Sequence, residues 1–339
     1  NDRFALCLPR EEFDEKRVAD SVKELQCEFT GNSFHMHMYM GVYEIRDRDE
    51  AVRIMVDKAN IAADTIKNNY DCCVAYYDEH LLEISIEQRR LLGEFEPALQ
   101  KDEFAMYLQP QVNRDGVASG AEALVRWVHP SRGILTPYAF IDILENAGLI
   151  YKLDLYIWEK AVQKLAEWKE KGYGSYHISV NISTKDFYII DIYETFTGLI
   201  NKYGIAASNL HLEITETTLM TDFEKNMNII HKLQGVGFRV EIDDFGSGYS
   251  SLNMLKDISA DVLKIDMGFL RKSENEVKGQ DILESIITLA GKIGMDVITE
   301  GVETKKQLDM LTMMGCHEFQ GYYFSKPVPV SEFEEKYLV

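Results

Sequence analysis

From Phe104 onward the chain alternates short runs of two-residue apolar period with longer runs of helical period. The short runs are FAMYLQPQV, GAEALVRWV, YHISVNIS, LHLEITE, FRVEIDDF, DVLKIDM, DVITEGV and CHEFQGYYF. On such a run, side chains two residues apart share a face. Between most of them lie amphipathic stretches such as YKLDLYIWEKAVQKLAEWKEKG and QDILESIITLAGKIG, each closed by a glycine, as a helix C-terminus prefers. Strands separated by helices in this order predict an α/β fold, a TIM-like (β/α)8 barrel. Only NRDG separates the first two strands. That is a hairpin turn rather than a helical crossover, so the first pair is expected to be antiparallel, unlike a standard barrel.

Residues 1–84 follow another pattern. RFALCLP reads as a strand, FDEKRVADSVKELQ as a helix, SFHMHMYMGVYEI as two strands, EAVRIMVDKANIAADTIK as a helix and CVAYYD as a strand. The segment is α+β, with no acid cluster of its own. EISIEQRRLLGEFEPALQ has helical periodicity and no Pro or Gly cluster at its start, so residues 85–100 are expected to form a connecting helix ahead of a barrel over 101–339.

Composition narrows the function. The 339 residues are 46% hydrophobic and carry a formal charge of -20. This argues against binding a nucleic-acid polymer, which needs clustered Lys and Arg. An anionic substrate would then need cations as intermediaries. The five cysteines are odd in number and include the vicinal pair Cys72 and Cys73, so no disulfide framework is expected, and a reducing, cytoplasmic setting fits. No apolar run approaches the roughly 18 to 20 residues of a spanning helix. The chain starts at Asn1 without an initiator Met, which suggests a longer protein. Any tether to the inner membrane would come from an upstream part.

In a barrel, reacting groups sit at the C-terminal strand ends. The polar residues that interrupt the apolar alternation there are Glu122, Asn181, Glu213, Glu216, Asp243, Asp244, Lys264, Asp266, Glu300, Glu303 and Gln320. Val180 and Ile182 flank Asn181, Leu212 and Ile214 flank Glu213, and Leu263 and Ile265 flank Lys264. The apolar set then faces the helices and the polar set the barrel axis. Any one of these acids alone reads as a helix cap or a solvated loop charge, and Trp127 as core. Joint placement on seven strands is not what isolated caps produce. Six or more carboxylates at one mouth cannot all ionise without cations among them. Oxygen ligands plus one Asn favour Mg²⁺ or Mn²⁺ over Zn²⁺. Two such ions about 3.5 to 4 Å apart would activate a water and clamp the oxygens of an in-line phosphoryl displacement. Lys264 would position that water or stabilise developing charge.

In this order EALVRW, NIS, EITE, DDFGSGYSSL, LKID, TEGVET and QGYYFSKP resemble the EAL-domain family of cyclic di-GMP phosphodiesterases, over roughly residues 90 to 339. The resemblance implies hydrolysis of cyclic di-GMP to linear pGpG with two Mg²⁺ or Mn²⁺ ions, Ca²⁺ being inhibitory. It implies metal ligation by Glu122, Asn181, Glu213, Asp243 and Asp244, with Asp243 bridging. Lys264 and Glu300 would handle the attacking water, and Glu216 would tether the DDFGSGYSS loop. Gln109, Glu122, Leu124, Arg126, Asp266, Gln320 and Glu303 would serve the substrate, Arg126 meeting a phosphate. A homodimer through the barrel is also implied, with Ser247 to Leu255 coupling it to catalysis. The alternatives are a catalytically inactive cyclic di-GMP receptor and a metal phosphohydrolase for another nucleotide. Residues 1–84 are similar to the C-terminal part of a GGDEF domain, through NDRFALCLP, MGVYEI and ANIAADTIKNN. Asn1-Asp2-Arg3-Phe4 lacks the Gly-Gly pair, and Arg3 replaces the acid, so no cyclase activity is expected from this degenerate segment.

Overall fold

The two-residue alternation becomes a closed ring of strands in a computed structural model of the protein, which describes residues 3–18, 20, 38–67, 73–245, 258, 260–268 and 276–338. The chain divides into two compact units, Asn1–Glu94 and Phe95–Val339.

In the first unit, β1 (Met40–Val42) and β2 (Val74–Tyr76) pair in parallel, and α1 (Val52–Thr65) forms the crossover. The α+β reading did not contain this parallel pair. Gly41 lets the helix approach, since a Cβ there would stand 1.8 Å from the Ala59 carbonyl oxygen. The strand expected over Arg3–Pro9 does not form: Phe4 and Leu6 are exposed, and no ladder partner fixes the segment among the described residues. Of the helix expected over residues 13–26, residues 15–18 are helical, and most of the rest lies outside the described residues. The connecting helix α2 is Glu79–Gln100, starting six residues before the expected position.

The second unit is the barrel. β3 (Phe104–Val112) and β4 (Ala118–His129) form the antiparallel hairpin. Asn113 Oδ1 accepts from the amides of Asp115 and Val117, and Gly116 takes φ +81°, which closes the turn. A short β5 (Gly133–Leu135) extends β4 on its outer edge. Then β6 (His177–Ile182), β7 (Leu210–Thr215), β8 (Arg239–Phe245), β9 (Val262–Asp266) and β10 (Asp296–Glu300) follow in parallel register. β11 (Glu318–Phe319) pairs parallel to β10 and antiparallel to β3, so eight strands close the ring, and β12 (Val328–Pro329) adds to the edge of β3.

The outward strand residues Ile178, Val180, Ile182, Leu210, Leu212, Ile214, Val240, Ile242, Leu263 and Ile265 are buried beneath helices. Helix Ile150–Glu170 shows how the period was set. Its buried Leu153, Ile157, Trp158, Ala161, Val162, Leu165 and Trp168 recur every three or four residues, one apolar stripe against the sheet. Trp158 also donates from Nε1 to the Asn181 carbonyl oxygen at 3.0 Å, tying that helix to the end of β6. The last strand is much shorter than CHEFQGYYF predicts. After Gln320 the backbone crosses Val302 so closely that a Cβ at Gly321 would lie 2.2 Å from the Val302 carbonyl oxygen, and the amide of Tyr323 bonds that oxygen instead of extending the ladder. Among the described residues no helix is long and apolar enough to cross a membrane, and Cys7, Cys73 and Cys316 are free thiols.

Candidate active site at the C-terminal mouth

Lys264 is the centre of the site. It projects from β9 into the barrel and is fully buried, as is Glu213 on β7. The ammonium Nζ lies 2.8 Å from Glu213 Oε2, 2.8 Å from Glu300 Oε1, 3.4 Å from Asp243 Oδ1 and 3.5 Å from Glu122 Oε2. Four strands thus deliver four carboxylates to one cation, as the alternation of faces requires.

The amides complete the ring. Asn181 Nδ2 donates to Glu122 Oε1 at 3.0 Å. Gln320 Nε2 donates to Glu122 Oε2 at 2.6 Å and lies 3.3 Å from Gln109 Oε1. Gln109 faces Glu122 directly across the hairpin, and its own Nε2 donates to the Ser325 carbonyl oxygen at 3.2 Å.

The neighbouring aspartates have a specific cause. Ile242 pairs with Leu263 and Phe245 with Ile265, so Asp243 and Asp244 on β8 together oppose Lys264 alone on β9. This is a β-bulge, the device that re-aims side chains at a strand end. Asp244 takes a left-handed φ of +55° and donates its amide to Asp243 Oδ1 at 2.9 Å. It still belongs to the strand, which runs to Phe245. Two consecutive side chains, which a regular strand would send to opposite faces, can both serve the mouth from there.

The electrostatics are those of a site short of positive charge. Burial drives Glu213 well above the ordinary carboxylate range, and the charges of Glu122, Glu241 and Asp243 add to this against the pull of Lys264. Burial pushes Glu300 up to about 8, with Asp243 and Glu122 raising it further and Lys264 opposing. Asp244 is raised by burial and by Asp243. Burial alone would lower Lys264, but Asp243, Glu122, Glu213 and Glu300 more than reverse it, so the ammonium stays charged.

The donor set fits hard divalent ions. Both carboxylate oxygens of the fully buried Glu213 lack a hydrogen-bond donor, being held only by charge attraction to Lys264. Orphaned anionic oxygens beside further carboxylates and one amide are a donor set that suits hard divalent cations.

Other expected residues lie around this centre rather than in the ring of direct contacts. Leu124 and Arg126 follow Glu122 on the same face of β4, further out along the strand, with Arg126 half-buried over the Tyr107 ring at 5.6 Å and donating to the Val125 carbonyl oxygen at 2.8 Å. Burial lowers its guanidinium from the usual value. Asp266 pairs in register with Glu300, accepts from the Gly268 amide at 2.7 Å and is exposed. Glu303 is exposed just ahead of helix Lys305–Met313, whose capping box joins Thr304 and Gln307. Glu216 begins helix Glu216–Thr221 directly after β7. The loop it was expected to tether, and the Ser247 to Leu255 coupling segment, lie outside the described residues.

The fold and site together are those of a barrel with an antiparallel first strand pair and a Lys-centred carboxylate cluster at its C-terminal mouth. The chain belongs to the EAL domain family, which matches residues 93–327. It is 32% identical over 272 residues to the bifunctional diguanylate cyclase/cyclic di-GMP phosphodiesterase MucR of Pseudomonas aeruginosa, covering 80% of this chain and 39% of that protein. It is 33% identical over 240 residues to the cyclic di-GMP phosphodiesterase PdeR of Escherichia coli, covering 71% of this chain and 36% of that one. The chain therefore spans less than half the length of these relatives. A solved structure described as the PaMucR phosphodiesterase in a c-di-GMP complex superposes with TM-score 0.68 at 33% identity, covering 72% of this chain and 99% of that one.

One cluster escaped sequence reasoning. His177, His211 and Glu241 stand at the other end of the barrel, on β6, β7 and β8. Counting back by twos from Asn181 and Glu213 reaches both histidines, so the signal was present, but it lies at strand beginnings, where barrel chemistry is not expected.

Proposed function

We propose that the protein hydrolyses cyclic di-GMP to linear pGpG in second-messenger signalling. The observation that carries this is the convergence of Glu122, Asn181, Glu213 and Asp243 around Lys264, with the bulge adding Asp244, in a chain of the EAL family. Kinship with proteins named cyclic di-GMP phosphodiesterases, and a structural neighbour solved with c-di-GMP, support the substrate.

Glu122, Asn181, Glu213, Asp243 and Asp244 would hold two Mg²⁺ or Mn²⁺ ions, Asp243 serving both. When bound, such a pair supplies a water acidic enough to ionise near neutral pH and charge to stabilise an in-line displacement. Lys264, which stays charged, would orient that water, and Glu300, 2.8 Å from the ammonium, would take up its proton. Arg126 meets a phosphate of the substrate as a charge-assisted donor. Gln109 and Gln320 fix Glu122 and, with Leu124, Asp266 and Glu303, line the substrate. Glu216 holds the loop after β8 in its working shape. Ca²⁺, larger and more flexibly coordinated, occupies the site without supporting turnover. We assign the degenerate GGDEF-like first unit a regulatory or dimerising role, the barrel a homodimer contact, and the protein a place on the cytoplasmic side of the cell.

Incubation with cyclic di-GMP and Mg²⁺ should release pGpG. Tight binding without turnover, with Mn²⁺ also tried, overturns the proposal in favour of a receptor. Preferential cleavage of another nucleotide in a substrate panel overturns the substrate assignment.

A further inference from the structure

One layer below the carboxylate cluster, at the N-terminal end of the barrel, a different set of donors meets. His211 and Glu241 lie two residues before Glu213 and Asp243 on β7 and β8, and His177 lies four before Asn181 on β6. Two residues of strand separate the layers by about 7 Å. The imidazoles of His177 and His211 stack, with centroids 3.8 Å apart and planes within 6°. His211 Nδ1 is 2.6 Å from Glu241 Oε1, and His177 Nε2 is 2.8 Å from Gln111 Oε1. An amide carbonyl oxygen can only accept, so His177 carries its proton on Nε2 and keeps a lone pair on Nδ1.

Two further observations point to a ligand. Each of the three residues can offer one ligand atom, and the three atoms lie within 4.8 Å of one another. Glu241 is completely buried, yet its Oε2 has no hydrogen-bond partner. The three side chains line a cavity of ≈ 520 Å³, shared with Ser119, Arg239 and Glu318.

We propose that His177, His211 and Glu241 form a site for one Zn²⁺-type transition-metal ion, separate from the oxygen-ligand site at the other mouth. Two imidazole nitrogens and one carboxylate are a zinc donor set, whereas Mg²⁺ and Mn²⁺ prefer oxygen. The cavity leaves a fourth position for water. At bond lengths of about 2.0 to 2.2 Å, tetrahedral donors stand about 3.3 Å apart. The side chains therefore rotate inward on loading, and the cavity gives them room. The Gln111 carbonyl keeps His177 in the ligating tautomer, the role an outer partner plays for a metal-bound histidine. An ion there ties together β6, β7 and β8, the strands that carry Asn181, Glu213 and Asp243 to the opposite mouth.

The test is Zn²⁺ titration of the whole chain already saturated with Mg²⁺, followed by X-ray absorption of the zinc-loaded protein. Both are done in a His35→Ala/His37→Ala background, which removes the other closely spaced histidines. One Zn²⁺ per chain with two imidazoles in its shell is expected. His177→Gln/His211→Gln should weaken that binding at least about tenfold, while Asp243→Asn leaves it unchanged. No retained Zn²⁺, an oxygen-only shell, or unaltered affinity in the double histidine variant overturns the site. If the double variant does not fold, the absorption spectrum of the protein with both histidines decides alone, because it reports the ligands directly.

Discussion

At the C-terminal mouth four carboxylates crowd one buried ammonium, whereas at the N-terminal mouth two stacked imidazoles share a single buried carboxylate. On β7 and β8 the two sets come from inward positions two residues, about 7 Å, apart. The upper layer carries net negative charge, which together with burial raises the pKa values of its own acids, and bound cations would relieve it. In the lower layer burial holds His177 neutral, its pKa lowered to about 3, while Glu241 is held down to about 2, burial opposing and His211 prevailing. The difference teaches that a barrel's interior is not uniform. Acids crowd together at one height, and a layer below burial keeps the His177 imidazole neutral beside one ionised carboxylate.

The sharpest way to break this comparison is to remove charge from the bulge. Asp243→Asn should lower the turnover of cyclic di-GMP by roughly 10²- to 10³-fold or more, measured by chromatography of pGpG. Near-normal rates would show that the upper layer does not hold a bridged metal pair.

Lys264→Ala should also abolish turnover while sparing substrate binding. Without metal it should in addition destabilise the fold by about 3 to 5 kcal/mol, the cost of leaving buried charges uncompensated. Urea denaturation in EDTA and in Mg²⁺ would check this, with Mg²⁺ recovering part of the loss. Equal destabilisation in both conditions would mean that Lys264 and the ions do not share the same carboxylates.

A third variant tests the support behind β6. Asp186 is buried, and burial raises it to about 6, above an ordinary value of 3.8; Asp154 beside it is driven up further. A folded-state pKa above the unfolded one gives stability that is present below about pH 4 and lost as the pH rises through about 6, on the order of 2 to 3 kcal/mol. Asp186→Asn keeps an oxygen that can accept from the Ser183 amide. It should flatten the decline in melting temperature between pH 4 and 7, and an unchanged slope would count against the assignment. The smallest effect is expected from Ser119→Ala, at the N-terminal end, which removes a hydroxyl that donates to Glu318. Its kcat should stay within about twofold of the wild type, since surface-side changes away from a site are usually worth under 0.5 kcal/mol. A larger fall would show that the two mouths are coupled.

Much of this was legible in the residues. Val180, Asn181 and Ile182 alternate buried, exposed and buried as the period demands, and Glu122, Glu213, Asp243, Lys264 and Glu300 meet as their strand-end positions implied. Less was legible where long-range contacts overrule local preference. The segment Arg3–Pro9 has strand-like residues but no partner strand among the described residues, and Gly321 bends the last strand because Val302 blocks its path. The backbone state of Asp244 follows from a register shift between β8 and β9 that one strand cannot encode alone.

By itself the sequence determined the element order, the antiparallel first pair and the inward face of each strand, because these depend on period, turn length and side-chain alternation within short segments. The tertiary structure decided which inward residues stand at one height. It set the bulge that places two neighbouring aspartates opposite Lys264, and it stacked His177 on His211 one layer below. Those are matters of register between strands far apart in the chain, fixed only when the ring closes and every strand must satisfy two neighbours at once.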